Sequence, residues 1–161
     1  DHGKTWNIHN PARSNTTEAQ VAEVEPGVLM LNMRDNRGGA RAVMTTKDLG
    51  RTWTEHVSNR TALREPVCMA SLIAVPADRN ALGKDLLLFS NPDTTEGRCD
   101  ITVKASLDGG VTWPYSLLLD EGDSWGYSCL SMIDPQTVGI LYESSAAHIT
   151  FQAIELNEIV R

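Results

Sequence analysis

Apolar and polar residues alternate with a period of two through most of the chain, and helical periodicity is nearly absent. Residues 19–25 read Ala-Gln-Val-Ala-Glu-Val-Glu, and Pro26-Gly27 turns the chain into a second run at 28–34. A turn cluster at 35–39 leads to a third run, 40–46, and residues 53–57 form a short fourth. The cycle restarts at 68–75 and continues through 85–90, 99–106 and 113–119. A third cycle shows 127–133, 138–143 and 148–154, with no clear fourth strand. Residues 155–161 follow as a short helix or a closing tail.

One turn recurs in this pattern. Ser106-Leu107-Asp108-Gly109-Gly110-Val111-Thr112-Trp113 is its full form, and Thr46-Lys47-Asp48-Leu49-Gly50-Arg51-Thr52-Trp53 repeats it. Asp1-His2-Gly3-Lys4-Thr5-Trp6 is a third copy without the first two positions. A short Asp side chain can accept hydrogen bonds from the turn's own backbone. Gly supplies a positive φ, and Thr and Trp re-enter a strand with the indole covering the turn. Three copies make an internal repeat of about one supersecondary unit each. Four short meandering strands per repeat predict propeller blades, roughly three here, with the first residues ending a preceding blade. A small meander sandwich is the competing architecture.

Composition narrows the partners. A chain of 161 residues can bury a core of its own, so one domain is expected. A formal charge of −7 disfavours nucleic acid and anionic membrane surfaces as general partners, and no apolar run reaches membrane-span length. The sequence starts inside a turn motif, so a targeting segment would lie upstream of it. Cys68, Cys99 and Cys129 are too scattered for a disulfide framework or a zinc site and are expected as small buried residues. His2, His9, His56 and His148 lack metal-ligand spacing, and no cofactor is expected. The sequons at Asn15 and Asn59 carry weight only in a secreted eukaryotic protein.

A propeller's site lies where the innermost strands converge on the axis. By position in the cycle those strands begin near Glu18, Cys68 and Tyr127. A tyrosine paired with a carboxylate is a plausible activated nucleophile, the carboxylate accepting the phenol proton.

The pattern S/T-x-D-x-G-x-T-W resembles the Asp-box of the sialidase (neuraminidase) superfamily. The resemblance implies an all-β, six-bladed β-propeller of which this chain supplies roughly the last three blades. Residues 1–161 would then be the C-terminal half of the catalytic domain. Glu18-Ala19-Gln20-Val21 followed by Leu29-Met30-Leu31-Asn32-Met33-Arg34 resembles the family run N-E-x-Q-V…L-x-L-N-x-R, with Thr17 in place of the Asn. The resemblance makes Glu18 the base that activates the nucleophile and Arg34 one of three arginines clamping the substrate. Tyr127-Ser128-Cys129-Leu130 resembles the Y-S-x-L nucleophile strand, so Tyr127 is the implied nucleophile. Arg98 matches a second clamp arginine, and Glu143 of Leu141-Tyr142-Glu143 inherits the orienting of the third. The remaining arginines, Arg41 among them, are expected to be solvated. Trp125 either lines the sugar pocket or covers a blade.

These residue types suit a sugar that carries a carboxylate on its anomeric carbon. Arginine offers a planar, permanently charged fork to that carboxylate, and each charge-assisted bond contributes about 1.5–3 kcal/mol. A carboxylate nucleophile would approach against like charge, whereas a neutral tyrosine avoids it. Sialidases are the tyrosine exception among glycosidases that otherwise use two carboxylates. The family's R-I-P arginine and its acid/base Asp have no match here. The implied activity is a retaining exo-α-sialidase acting on sialylated glycans and completed by an N-terminal half of the same propeller. A secreted or periplasmic location is expected. A trans-sialidase, or a non-catalytic Asp-box propeller binding glycans or proteins, is the alternative.

Overall fold

The computed structural model describes residues 1–161. The first sheet holds β1 (Thr16–Glu25), β2 (Val28–Asp35), β4 (Ala42–Thr46) and the short β5 (Thr54–Glu55), paired antiparallel in that order. Between them β3 (Gly39–Ala40) pairs with β6 (Arg64–Glu65) in a separate two-stranded ribbon. The second sheet holds β7 (Ser71–Val75), β8 (Leu86–Pro92), β9 (Ile101–Ser106) and β10 (Tyr115–Asp120). A 3-10 turn, Ala77–Arg79, lies between β7 and β8. The third sheet has only β11 (Ser128–Met132), β12 (Thr137–Glu143) and β13 (Ile149–Glu155). The four-residue helix α1 (Leu156–Ile159) follows, its start closed by reciprocal bonds between Glu155 and Glu158.

The sheets stack in series through their alternating apolar faces. Met30 and Val43 of the first sheet meet Leu72, Leu87 and Phe89 of the second in one cluster. The second sheet's opposite face gives Leu88, Ile101 and Val103 to a larger cluster with Leu130, Ile140 and Tyr142 of the third. The first strands of the sheets, β1, β7 and β11, lie side by side. Hydroxyls fasten β11 to the second sheet: Ser71 Oγ of β7 accepts from the Leu130 amide at 3.0 Å, and the hydroxyls of Ser90 in β8 and Ser128 in β11 are 2.7 Å apart. The chain is all-β, and its sheets form no closed ring within residues 1–161. No helix is long and apolar enough to cross a membrane.

The Asp-boxes fold as their chemistry requires. In the second sheet Asp108 accepts from Ser106 Oγ (2.7 Å), the Thr112 amide (2.9 Å) and Thr112 Oγ1 (2.6 Å). Asp48 repeats the set at 2.8, 2.8 and 2.7 Å with Thr46 and Thr52. Two successive residues, not one, adopt positive φ: Gly109 and Gly110 in one box, Leu49 (58°) and Gly50 (87°) in the other. The Trp113 and Trp6 indoles bond back to their own box glycines, whereas Trp53 bonds the Asn10 carbonyl at 3.0 Å. The middle box thereby ties down the N-terminal segment.

Three expectations change. The strand expected from 68 begins at Ser71, because the Cys68 carbonyl accepts from a buried arginine and not from a strand neighbour. Of the cysteines, Cys68 is buried, but Cys99 is half-buried and Cys129 exposed on the outer face of β11. Arg41 is fully buried against Glu65, although no sequence motif marked either residue.

Candidate functional site

Adjacent antiparallel strands run in opposite directions, so first strands begin, and second strands finish, at the same end of the stack. Glu18 lies near the start of β1, Arg34 near the end of β2, and Tyr127 immediately before β11. Glu143 closes β12, and Arg98 precedes β9. All five are therefore at one end, with the Asp-boxes after β4 and β9 at the other.

Local backbone features aim these side chains. Thr17 pairs with Arg34 and Ala19 with Met33, which leaves Glu18 as the extra residue of a β-bulge. Bulges re-aim a side chain out of the regular alternation, and here Glu18 turns toward Arg34 and the start of β11. Gly126, at φ 89°, turns the chain into Tyr127 where a Cβ would sit 2.9 Å from Cys68 Sγ and 2.8 Å from Pro92 Cγ. Only glycine fits that approach. The Tyr127 amide then donates to Glu143 Oε2 at 3.0 Å, while its carbonyl accepts from the Glu143 amide at 3.0 Å.

The resulting constellation is compact. The Tyr127 phenol donates to Glu18 Oε1, and Arg34 Nη1 donates to Glu18 Oε2 at 2.6 Å. The Arg98 guanidinium lies 5.7 Å from the centre of the Tyr127 ring and donates to the Trp125 carbonyl at 2.7 Å. Arg98 forms no ion pair, leaving donors for an anion. Electrostatics follow from these contacts. The phenol hydrogen bond, then Arg34, hold the Glu18 carboxyl below its ordinary value against the opposing effect of burial. The same bond, with burial and the Glu18 charge, pushes the Tyr127 phenol up. The resting pair is a neutral phenol on a carboxylate.

All five candidate residues meet at this end, but their engagements differ. Glu143 touches the Tyr127 backbone and no arginine of this chain. Trp125 is 71% exposed, so it covers no blade of this chain. Cys68, the third strand-start residue, is buried beneath Gly126. No group of three or more histidine, cysteine or acidic side chains is disposed to hold a metal ion.

Comparison with known proteins gives this geometry a context. A family model described as a BNR repeat-like domain matches residues 1–140. A sialidase of Bacteroides fragilis is 72% identical over 163 residues, covering 100% of this chain and 30% of that protein. A sialidase of Micromonospora viridifaciens is 35% identical over 146 residues, 89% of this chain and 22% of that protein. Among solved structures, Hadza microbial sialidase Hz136 is 89% identical with a TM-score of 0.97, over 99% of this chain and 31% of that chain. The chain belongs to the Asp-box, BNR repeat-like sialidase family. It spans less than a third of the length of these relatives.

Proposed function

We propose that the protein carrying this chain is a retaining exo-α-sialidase that releases terminal sialic acid from glycoconjugates. The observation that carries the proposal is the relay Arg34–Glu18–Tyr127, built from β2, β1 and the residue that enters β11, at one end of the stack. In the proposed reaction the Tyr127 Oη attacks the anomeric carbon while its proton passes to Glu18. The leaving oxygen takes its proton from an acid supplied outside residues 1–161. Water then attacks the anomeric carbon of the glycosyl–tyrosine intermediate and gives its proton to that same external group, now a base, while Glu18 returns its proton to the departing Tyr127 phenolate. Arg34 and Arg98 hold the substrate carboxylate, and Glu143 orients the start of the nucleophile strand.

The architecture proposed for the whole is a six-bladed propeller, with residues 1–161 as its C-terminal half. The serial stacking of three meander sheets with neighbouring first strands supports it. Its outermost face carries exposed Leu141, Ile149 and Phe151, which suits a further blade. Extracellular glycans as substrates make a secreted or periplasmic location the matching proposal. The test is hydrolysis of a fluorogenic sialoside by the full-length protein and by its Tyr127→Phe variant. Turnover abolished in the variant supports the enzyme. No turnover by the parent protein leaves a glycan- or protein-binding propeller, and release of a sialylated acceptor in place of free sialic acid identifies a trans-sialidase.

A further inference from the structure

Behind the site, Arg41 and Glu65 form an ion pair at 2.6 Å with both side chains fully buried. Arg41 stands just before β4 and Glu65 at the end of β6, and each reaches elements that the site uses. Arg41 Nε donates to Asn32 Oδ1 at 2.7 Å, and its Nη1 donates to the Cys68 carbonyl at 2.7 Å. Glu65 Oε1 accepts from the Asp35 amide at 2.6 Å. Asn32 and Asp35 lie on either side of Arg34 in the same strand. Cys68 is the residue on whose sulfur Gly126 rests, one position before Tyr127.

We infer that the Arg41–Glu65 pair is a brace that sets the position of Arg34 against Tyr127, which makes both members positioning residues for the proposed reaction. The inference rests on the sialidase reading. Arg34 needs such a brace: its one side-chain bond is to Glu18, and its Nε is buried without a partner. Its reach is therefore set by the backbone of β2, which the pair grips on both sides. Stability alone does not account for the pair. Burying two charges is expensive, and well-packed apolar replacements are often as stable or more so. Here Arg41 Nη2 and Asn32 Nδ2 remain without hydrogen-bond partners, so the desolvation is incompletely offset. What the ions provide, and apolar side chains cannot, is directed bonds to three separate groups: the Asn32 side chain, the Cys68 carbonyl and the Asp35 amide.

The experiment measures affinity of the full-length protein for a sialic-acid-derived inhibitor and for its neutral carboxamide analogue. Their ratio reports how well the arginines meet the carboxylate. Glu65→Gln weakens one arm of the brace, and the double variant Arg41→Met/Glu65→Leu replaces it with apolar volume that still packs. Both should cut the acid-to-amide ratio by about tenfold to a hundredfold, the scale of a misplacement near 1 Å. Asp108→Ala, in the distant box, serves as a destabilised control whose ratio should stay that of the parent. Folded brace variants that keep the parent ratio overturn the inference, as does failure of every replacement to fold, which would make the pair a stability element only. A parent protein that neither hydrolyses a sialoside nor prefers the acid removes the sialidase reading itself.

Discussion

At the scale of single residues, the Tyr127–Glu18 contact fixes where the proton resides and hence what each substitution should do. Tyr127→Phe keeps the ring beneath Arg98 but removes the nucleophilic oxygen, so kcat should fall on the order of a thousandfold or more. Binding of a sialic-acid-like inhibitor should persist, and near-normal turnover would remove Tyr127 from the mechanism. The pH profile offers an independent check. A base works only while deprotonated, and Glu18 is held below its ordinary value of 4.5, first by the phenol bond and further by Arg34. Activity in kcat/KM should therefore be retained below pH 4.5 and lost only as pH falls through the lowered value. Arg34→Gln removes a positive charge from beside Glu18 and should move that acid limb upward. An unmoved limb would assign it to another group. Arg98→Lys, by contrast, should raise KM and recover only part of what Arg98→Ala loses, because an ammonium lacks the planar fork.

At the scale of elements, the Asp-box is a stability device at the end of the stack opposite the site. Asp48 is held at about 2, first by the Thr52 hydroxyl and then by the Thr52 amide. A depressed carboxylate contributes stability above its unfolded value of about 3.9, and that contribution is lost as pH falls toward 2. Asp108→Ala should lower Tm while leaving the kinetics of the folded fraction unchanged. Leu49 is a different case: it is 77% exposed and sits at φ 58°, where a side chain crowds its own carbonyl. Leu49→Gly should relieve roughly 1–2 kcal/mol of crowding and return about half as unfolded-chain entropy, for a small rise in Tm. A fall in Tm would show that the Leu49 side chain packs in the whole protein.

The strand cycle and the boxes were legible in the sequence because period-two alternation and turn chemistry are local. Glu18 and Tyr127 could be grouped from their places at the starts of first strands, whereas Arg34, Arg98 and Glu143 joined them only through the resemblance to the sialidase family. The bulge at Glu18, the β3–β6 ribbon and the burial of Arg41 were not legible. Each depends on a partner many residues away, and Glu65 lies 24 positions from Arg41 with nothing in the intervening run to announce the pair. An arginine between two alanines, just past a glycine pair, reads as solvated until its carboxylate is found.

At the scale of the whole molecule, the chain presents two unfinished surfaces. The third sheet lacks a fourth strand beyond β13, and its outer face exposes Ile133, Leu141, Ile149 and Phe151. An open edge beside an apolar face is a template for association with other chains. The site is unfinished in the same sense. Residues 1–161 carry the proposed nucleophile, its base and two clamp arginines, but no match to the family's acid/base Asp or third clamp arginine. Expressed alone, the chain should therefore self-associate or remain partly unfolded, and it should not hydrolyse a sialoside at any concentration. Size-exclusion chromatography and a fluorogenic assay test both points together. Mixing it with the remainder of the protein should yield a monomeric complex with activity, because the missing strand edge, apolar cover and general acid then arrive on one body. An isolated chain that is monomeric and active would mean that residues 1–161 hold a general acid of their own, and the half-propeller proposal would fall with that result.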